Sequence, residues 1–313
     1  MLVSNKSLFR KCYGEYAIAA INVWSMEQIH SLFRAAEKAQ APFIVQMTPV
    51  AMDFGHAIML LSMISAAAEI YPKTIYSIHL DHGNRKAALE AISSGEFSSI
   101  MIDASHETYE KNVQITSEIV EIAHANNIEV EAELGVLSGV EEGMAMKPED
   151  TKYTQPEEVE DFVSKTGCDS LAVAVGTSHG AYKFSGNEGL QFGILKEIQK
   201  RLPGFPLALH GGSEVSENEI HRINASGGKL GIGARGVSSD EIRKAIKYGI
   251  CKINIATDAR IIWTRVHREF FLESPEQLDP IIPGNTYIKE LEKFYMDKFD
   301  LLKATNRTKD LTS

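Results

Sequence analysis

Three histidines in this chain stand at the C-terminal ends of short apolar runs, each followed by glycine. They are His82 in Ile-His-Leu-Asp-His-Gly (78–83), His179 in Val-Gly-Thr-Ser-His-Gly (175–180) and His210 in Leu-Ala-Leu-His-Gly-Gly (207–212). One histidine after a strand is ordinarily a hydrogen-bonded polar residue or a cap. Three at equivalent places in successive units describe a cluster at one end of a sheet. Three neutral imidazoles can hold a zinc-like cation and leave a coordination position open to substrate. The ligand separations are too long for a zinc finger, so the fold must assemble the site. A carboxylate, Asp81, directly precedes the first histidine. Neighbours on an extended strand face opposite sides, so the backbone has to turn at the strand end for both to enter the site. An aspartate there could move a proton to or from a substrate hydroxyl while a cation polarises a carbonyl. The plainer alternative is that it orients a ligand. His79 shares the face of Asp81 by strand parity and takes a supporting role.

Small and hydroxyl residues follow the last strand ends: Gly180, then Gly211, Gly212 and Ser213, then 254–258. Exposed backbone N–H groups in such turns form anion nests, and a helix start adds a favourable dipole. Lys183, in Gly-Ala-Tyr-Lys, adds a positive charge. Beside the histidines these features point to a small phosphorylated substrate. Glu131 and Glu133 share one face of the fifth strand, and Asp103 ends the fourth. These acids could complete a second cation position, act as a general base, or form a hydrogen-bonded polar layer inside the fold.

The elements that must position these residues alternate from start to end. Candidate strands lie at 17–22, 43–47, 75–81, 98–103, 128–134, 170–175, 207–210 and 251–255. Helical patterns lie between them, among them 26–39, 57–70, 109–125, 156–166 and 240–248. Repeated strand–helix units imply parallel pairing through crossover helices. Eight of them fit a closed (β/α)8 TIM barrel with catalytic groups at the C-terminal strand ends. A doubly wound open sheet is the alternative. Residues 135–154 form a long acidic connection suited to a lid, and 223–238 is a glycine-punctuated insert. Residues 1–313 read as one domain, with a C-terminal helical extension at about 258–302, in which Ser-Pro-Glu and Ile-Ile-Pro-Gly separate two helices. The polar tail from Ala304 onward is expected to fray.

Composition narrows the classes. The chain has 313 residues, a net charge of −10 and 44% hydrophobic residues, enough to bury a large core. No basic run stands out to neutralise nucleic-acid phosphates, and no stretch approaches a membrane span. Three cysteines without paired spacing, Cys12, Cys168 and Cys251, fit reduced thiols, and with no signal-like N-terminus the expected location is the cytoplasm.

The motifs together resemble those of the class II, metal-dependent ketose-bisphosphate aldolases. The resemblance is carried by His-Leu-Asp-His-Gly, Met-Ile-Asp-Ala-Ser-His, Val-Glu-Ala-Glu-Leu-Gly, Ala-Val-Gly-Thr-Ser-His-Gly-Ala-Tyr-Lys, Leu-His-Gly-Gly-Ser and Cys-Lys-Ile-Asn-Ile-Ala-Thr-Asp, in the family's order from Asn22 to about Arg260. The insert before strand eight and the C-terminal extension most resemble the shorter fructose-bisphosphate subgroup. The resemblance implies one catalytic Zn2+ on His82, His179 and His210, with Asp103 and Glu133 as an alternative position and room for a second divalent or monovalent cation. It makes Asp81 the proton carrier at the C4 hydroxyl and Glu141, in the loop after strand five, the group that moves the C3 proton. It assigns Gly180, Lys183, Gly211, Ser213, Asn254 and Thr257 to the C1 phosphate, with Asn22 and Thr48 nearby, and Arg260 to the C6 phosphate. It implies a homodimer or homotetramer. The sequence departs from the family pattern at Trp24 and Ser25, at Thr48 and Glu142, and at Ala256, where fructose-bisphosphate members commonly carry Asp. The expected substrate is fructose 1,6-bisphosphate; a tagatose bisphosphate or another C6-substituted ketose 1-phosphate is the alternative. Rival readings are a barrel isomerase or epimerase and a non-enzymatic barrel subunit. A Schiff-base aldolase is disfavoured, since no lysine sits among the strand-end histidines.

Overall fold

Strand residues alternate between two surroundings, and that alternation builds the fold. The computed structural model describes residues 1–136, 138–141, 144–146, 152–179, 189–231 and 236–312, with only the backbone of 138–141, 144–146 and 178–179. Eight parallel strands close into a barrel in the order β1 (Ile18–Asn22), β11 (Ile250–Ile255), β10 (Leu207–Leu209), β8 (Ser170–Val173), β5 (Glu129–Leu134), β4 (Ser99–Ile102), β3 (Tyr76–Gly83) and β2 (Phe43–Met47). Leu171, Val173, Leu207, Leu209, Cys251 and Ile253 face outward into the main apolar core beneath the helices, whereas Met101, Ala172 and Ala208 form a small cluster of their own. The same parity turns Gln46, His79, Asp81, Glu131, Lys252 and Asn254 into the barrel. Bonds between strands that are not neighbours require this. Lys252 on β11 reaches Glu131 on β5 at 3.0 Å, which is possible only across the interior.

Around the barrel run α1 (Asn5–Cys12), α2 (Met26–Ala39), α3 (Pro49–Gly55), α4 (Ala57–Ile70), α5 (Arg85–Ser94), α6 (Tyr109–Ala125), α7 (Pro156–Thr166), α8 (Phe192–Arg201), α9 (Glu217–Ala225) and α10 (Ser239–Ile246). Local chemistry sets their ends. Thr108 and Asn84 cap α6 and α5 by accepting from Lys111 and Ala87 N–H groups. Ser238 and Glu241 form a reciprocal capping box on α10, which satisfies two of its orphan donors. Strand β6 (Ser138–Glu141) pairs with β7 (Met144–Met146) and with β9 (Ser178–His179) in a separate three-stranded sheet. The connection at 135–154 therefore contains strands, not only loop. Among the described residues no single helix is long and apolar enough to cross a membrane.

The C-terminal extension is α11 (Thr257–Glu273), α12 (Ile281–Leu301) and the short α13 (Lys309–Thr312). Ile-Ile-Pro-Gly does not separate two helices: it is the first turn of α12, with Pro283 inside it. A first-turn N–H has no helical partner in any case, so proline costs little there. Helix α12 packs on α2, and Glu292 pairs with both Arg34 and Lys38.

The tail also differs from expectation. Ala304 is fully buried, and the backbone N–H groups of Asn306 and Thr308 donate to the carbonyls of Ala39 and Gln40 at 2.9 and 3.1 Å. Polar side chains at the surface disguise a backbone that satisfies the C-terminal end of α2. Deleting residues 304–313 is therefore expected to lower the thermal midpoint, by about 2–4 °C for each kcal/mol lost, as followed by circular dichroism. A frayed tail would leave the midpoint where it was.

Candidate active site

The turn that Asp81 and His82 need is present. Strand β3 pairs with β4 in register through His79–Ser99 and Leu80–Ile100, then shifts so that Gly83 meets Ile102. At the shift His82 adopts a left-handed backbone, φ 47°, a conformation that costs an ordinary residue about 1–2 kcal/mol. This kink lets two consecutive side chains enter the barrel mouth. A Cβ on Gly83 would meet Leu80 Cδ2 at 2.6 Å and the Met101 carbonyl at 2.7 Å, so only glycine fits where the strand rejoins its neighbour.

Two carboxylates decide how the imidazoles face. His82 Nδ1 lies 3.0 Å from Asp103 Oδ2, and His210 Nε2 lies 2.9 Å from Glu131 Oε1. A carboxylate accepts, so each of these nitrogens carries the proton. Asn254 Nδ2 is 3.3 Å from the same His210 nitrogen, but the shorter contact to Glu131 takes its hydrogen. The other nitrogens, His82 Nε2 and His210 Nδ1, then turn lone pairs toward one another at 2.9 Å, with the rings edge to face. Burial holds His210 below the usual imidazole range, so the ring is neutral. Two converging lone pairs repel unless a cation lies between them, and a borderline-soft divalent ion suits this donor set. Asp81 has a ligand atom within 4.8 Å of both imidazoles, and His82, Asp103 and Glu133 form a second such group. The residues present therefore fit a metal ion.

The carboxylate of Asp81 is clamped. Asn22 Nδ2 and Gln46 Nε2 donate to Oδ2 at 2.8 and 3.1 Å, and Asn254 Nδ2 donates to Oδ1 at 3.0 Å. Below it lies Lys252, fully buried, 3.0 Å from Glu131 and 4.0 Å from Asp81. Burial pushes the Glu131 carboxyl up, but Lys252, the His210 bond and His79 outweigh it and hold the group well below the carboxylate range. His79 donates to or accepts from Ser99 Oγ at 2.7 Å. Sequence reasoning missed Gln46 and Lys252. The signal was available: each is a polar residue of interior parity in a strand that is buried throughout. The nearest lysine, Lys252, lies beneath the strand-end histidines and meets Glu131 and Asp81. Schiff-base chemistry needs an uncharged amine open to substrate, and this ammonium is enclosed and ion-paired.

At the opposite side of the mouth, Ser213 Oγ accepts from the N–H groups of Ala256 and Thr257 at 3.3 and 3.2 Å, at the start of α11. Asp258 accepts from Glu214 and Val215 N–H at 3.0 and 2.8 Å, which orders the turn after His210. Gly211 has φ 65°, and a Cβ on Gly212 would meet Ile253 Cγ2 at 2.5 Å. Thr48 caps α3 through Ala51 N–H. The exposed Arg260 guanidinium stands over the Trp24 ring at 5.2 Å. His179 is not at the end of a barrel strand: β8 stops at Val173, Gly176 turns the chain at φ 99°, and residue 179 pairs with Gly139 on the separate sheet. The side chains of His179 and Glu141, and residues Gly180, Lys183 and Glu142, lie outside the described residues.

A closed parallel barrel with imidazoles and an amide-clamped carboxylate at its C-terminal mouth defines a metal-centred barrel enzyme. The sequence model of the family described as fructose-bisphosphate aldolase class-II matches residues 3–307. The chain belongs to that family. A Thermus caldophilus protein named fructose-bisphosphate aldolase is 40% identical over 304 residues, covering 96% of this chain and 98% of its own. One from Treponema pallidum (strain Nichols) is 38% identical over 317 residues, covering 95% and 94%. Among solved structures, the YdjI aldolase from Escherichia coli K12 matches with a TM-score of 0.77 at 27% identity, over 98% of this chain and all 100% of that one. A putative fructose-1,6-biphosphate aldolase from Coccidioides immitis gives 0.80 at 25% identity, over 98% and 97%.

The buried polar groups fix a pH response. Burial first, then Lys252, pushes His79 down to about 3 against the opposing pull of Glu131 and Asp81. An unfolded histidine titrates near ~6.5, so below that pH the unfolded chain binds a proton that the folded one refuses. Stability then falls as pH drops from about 6.5 toward 3. Asp103 and Glu131, both held below the carboxylate range, add to the loss once pH falls below their unfolded values. Urea unfolding between pH 7 and 4.5 is expected to show this decline. His79→Asn should make it shallower by up to about 1.4 kcal/mol per pH unit, the contribution of one proton. Identical slopes would contradict the assignment.

Proposed function

We propose that this chain catalyses the reversible, zinc-dependent aldol cleavage of fructose 1,6-bisphosphate to dihydroxyacetone phosphate and glyceraldehyde 3-phosphate. The observation that carries the reading is the convergence of His82 and His210 beside the clamped Asp81, in a chain of this family. His82, His179 and His210 hold one zinc ion per site, and Asp103 and Glu133 offer a second cation position. When bound, the ion supplies positive charge that polarises the ketose carbonyl and offsets charge developing as the C3–C4 bond breaks. Asp81 removes the proton of the C4 hydroxyl in cleavage and returns it in condensation. Its amide clamp keeps it at one place through the reaction, so orientation need not be regained at each turnover. Glu141 moves the C3 proton. Gly180, Lys183, Gly211, Ser213, Asn254 and Thr257 hold the C1 phosphate, with Asn22 and Thr48 adjoining, and Arg260 meets the C6 phosphate. The ordered turn at 211–215 against the start of α11 supports the phosphate assignment.

Two further features support the reading of the cellular setting and assembly. Three buried cysteines without disulfides accord with a cytoplasmic enzyme. Exposed Val50, Phe54, Ile58 and Met59 on α3 and α4 make an apolar surface of the kind that subunits cover, which supports a homodimer or homotetramer.

Chelation and mutation test the chemistry together. A chelator is expected to abolish cleavage and added zinc to restore it. Asp81→Ala should retain zinc while losing about two to four orders of magnitude in kcat, the usual contribution of general acid–base catalysis. Full turnover by metal-free protein, or a wild-type rate in Asp81→Ala, would overturn the reading.

One position favours a second substrate. Ala256 sits half-buried at the mouth, its N–H given to Ser213, and its methyl offers a sugar hydroxyl no bond. A hydrogen bond to a substrate hydroxyl discriminates strongly between analogues, so selectivity at C4 should be relaxed, with tagatose bisphosphate or another C6-substituted ketose 1-phosphate also cleaved. Ala256→Asp is expected to raise the fructose-to-tagatose ratio of kcat/KM. An unchanged ratio in a coupled dihydroxyacetone phosphate assay would show that residue 256 does not read C4.

A further inference from the structure

We infer that Lys252 is a positioning residue for the metal ligand His210, acting through Glu131. Lys252 Nζ and His210 Nε2 meet the same oxygen, Glu131 Oε1, at 3.0 and 2.9 Å, and all three residues are buried. The junction crosses the barrel from β11 to β5 and ends on β10, so its members come from three different strands, none of which could hold the others by local geometry. Glu131 accepts the hydrogen bond of Nε2–H and thereby leaves His210 Nδ1 as the nitrogen turned toward His82 Nε2. Lys252 supplies the only lysine or arginine charge enclosed by the strands among the described residues; the other buried basic side chains, Arg265 and Lys298, belong to the outer helices. Space for it is provided by Ala208, directly opposite in register, and by Ala172 beyond. The amide clamp on Asp81 does not need this ammonium, which is 4.0 Å from that carboxylate. Its closer partner is the acid that orients the ligand. The partner that orients a metal-bound imidazole commonly changes metal affinity 10–100-fold when removed, and Lys252 anchors that partner.

The inference rests on the proposed cation site, and the test separates the two. Zinc affinity is measured by competition with a chromogenic chelator on the full chain for wild type, Lys252→Met, Glu131→Gln and the double variant, with thermal melts as a check of folding. Nitrogen-15 spectra of labelled histidine report which nitrogen of His210 carries the proton in the zinc-free protein. Lys252→Met is expected to bind zinc about 10–100-fold more weakly and to lose the single Nε2-protonated signal of His210. Glu131→Gln should show a comparable loss, and adding Lys252→Met to it should cost nothing further, because the lysine acts only through the acid. If Lys252→Met fails to fold with a buried carboxylate left uncompensated, the comparison of Glu131→Gln with the double variant still decides, since the double variant buries neither charge. Wild-type zinc affinity in folded Lys252→Met, or a further tenfold loss in the double variant, overturns the inference alone. A wild-type protein that binds no zinc overturns the cation site and this inference with it.

Discussion

Charge enclosed in the barrel is the constraint on which the rest depends. Asp81 and Glu131 are buried in a space whose only enclosed ammonium or guanidinium among the described residues is Lys252. A buried ion costs several kcal/mol unless it is paired and its remaining bonding positions are filled. The interior answers with amides from Asn22, Gln46 and Asn254 on one acid and with Lys252 and His210 on the other. The orientation of His210 descends from the second of these pairings, and Asp103 sets that of His82. Glu131 and Asp103 decide which nitrogen of each imidazole is protonated, and hence which nitrogens converge. The chemistry at the rim is thus an outcome of acid–base matching one layer below it.

Barrel strands tolerate this only because their two faces are segregated. Outward residues of β8, β10 and β11 supply branched apolar side chains to the helices, so packing stability is secured outside the barrel. The inside is left for polar groups, in contrast to the bulky aliphatic layers common in this architecture. The kink at His82 serves the same end. It adds a residue from the wrong parity to the polar set, at the expense of a strained backbone and a glycine that cannot be replaced.

Periodicity made most of the architecture readable. Helices 26–39, 57–70, 109–125 and 156–166 and strand 43–47 have the bounds that their patterns predict, because caps and turns coincide with the changes of period. His82, His210 and Asp81 were legible from residue type and their place after apolar runs. Gln46 and Lys252 were overlooked: their interior parity marks them as buried polar residues, but the partners that give them a role lie on strands distant in sequence. His179 was misplaced for a different reason: the strand stops at Val173, two residues before the apolar run does, and Gly176 then turns the chain away. The tail was misread because its anchoring uses backbone groups, on which side-chain polarity is silent.

The alanines beside Lys252 on the neighbouring strands carry a consequence for redesign. Lumen space in a closed barrel is shared, so the length of one side chain is purchased by the brevity of those beside it. Ala172 and Ala208 are therefore as much a part of the catalytic endowment as the groups that carry charge, although neither can take part in any reaction. Transplanting the visible histidines and aspartate onto another barrel would fail if its wall at those levels were lined with leucine or isoleucine, because the ammonium would have nowhere to lie. A graft of this site is a graft of an absence as well as of residues.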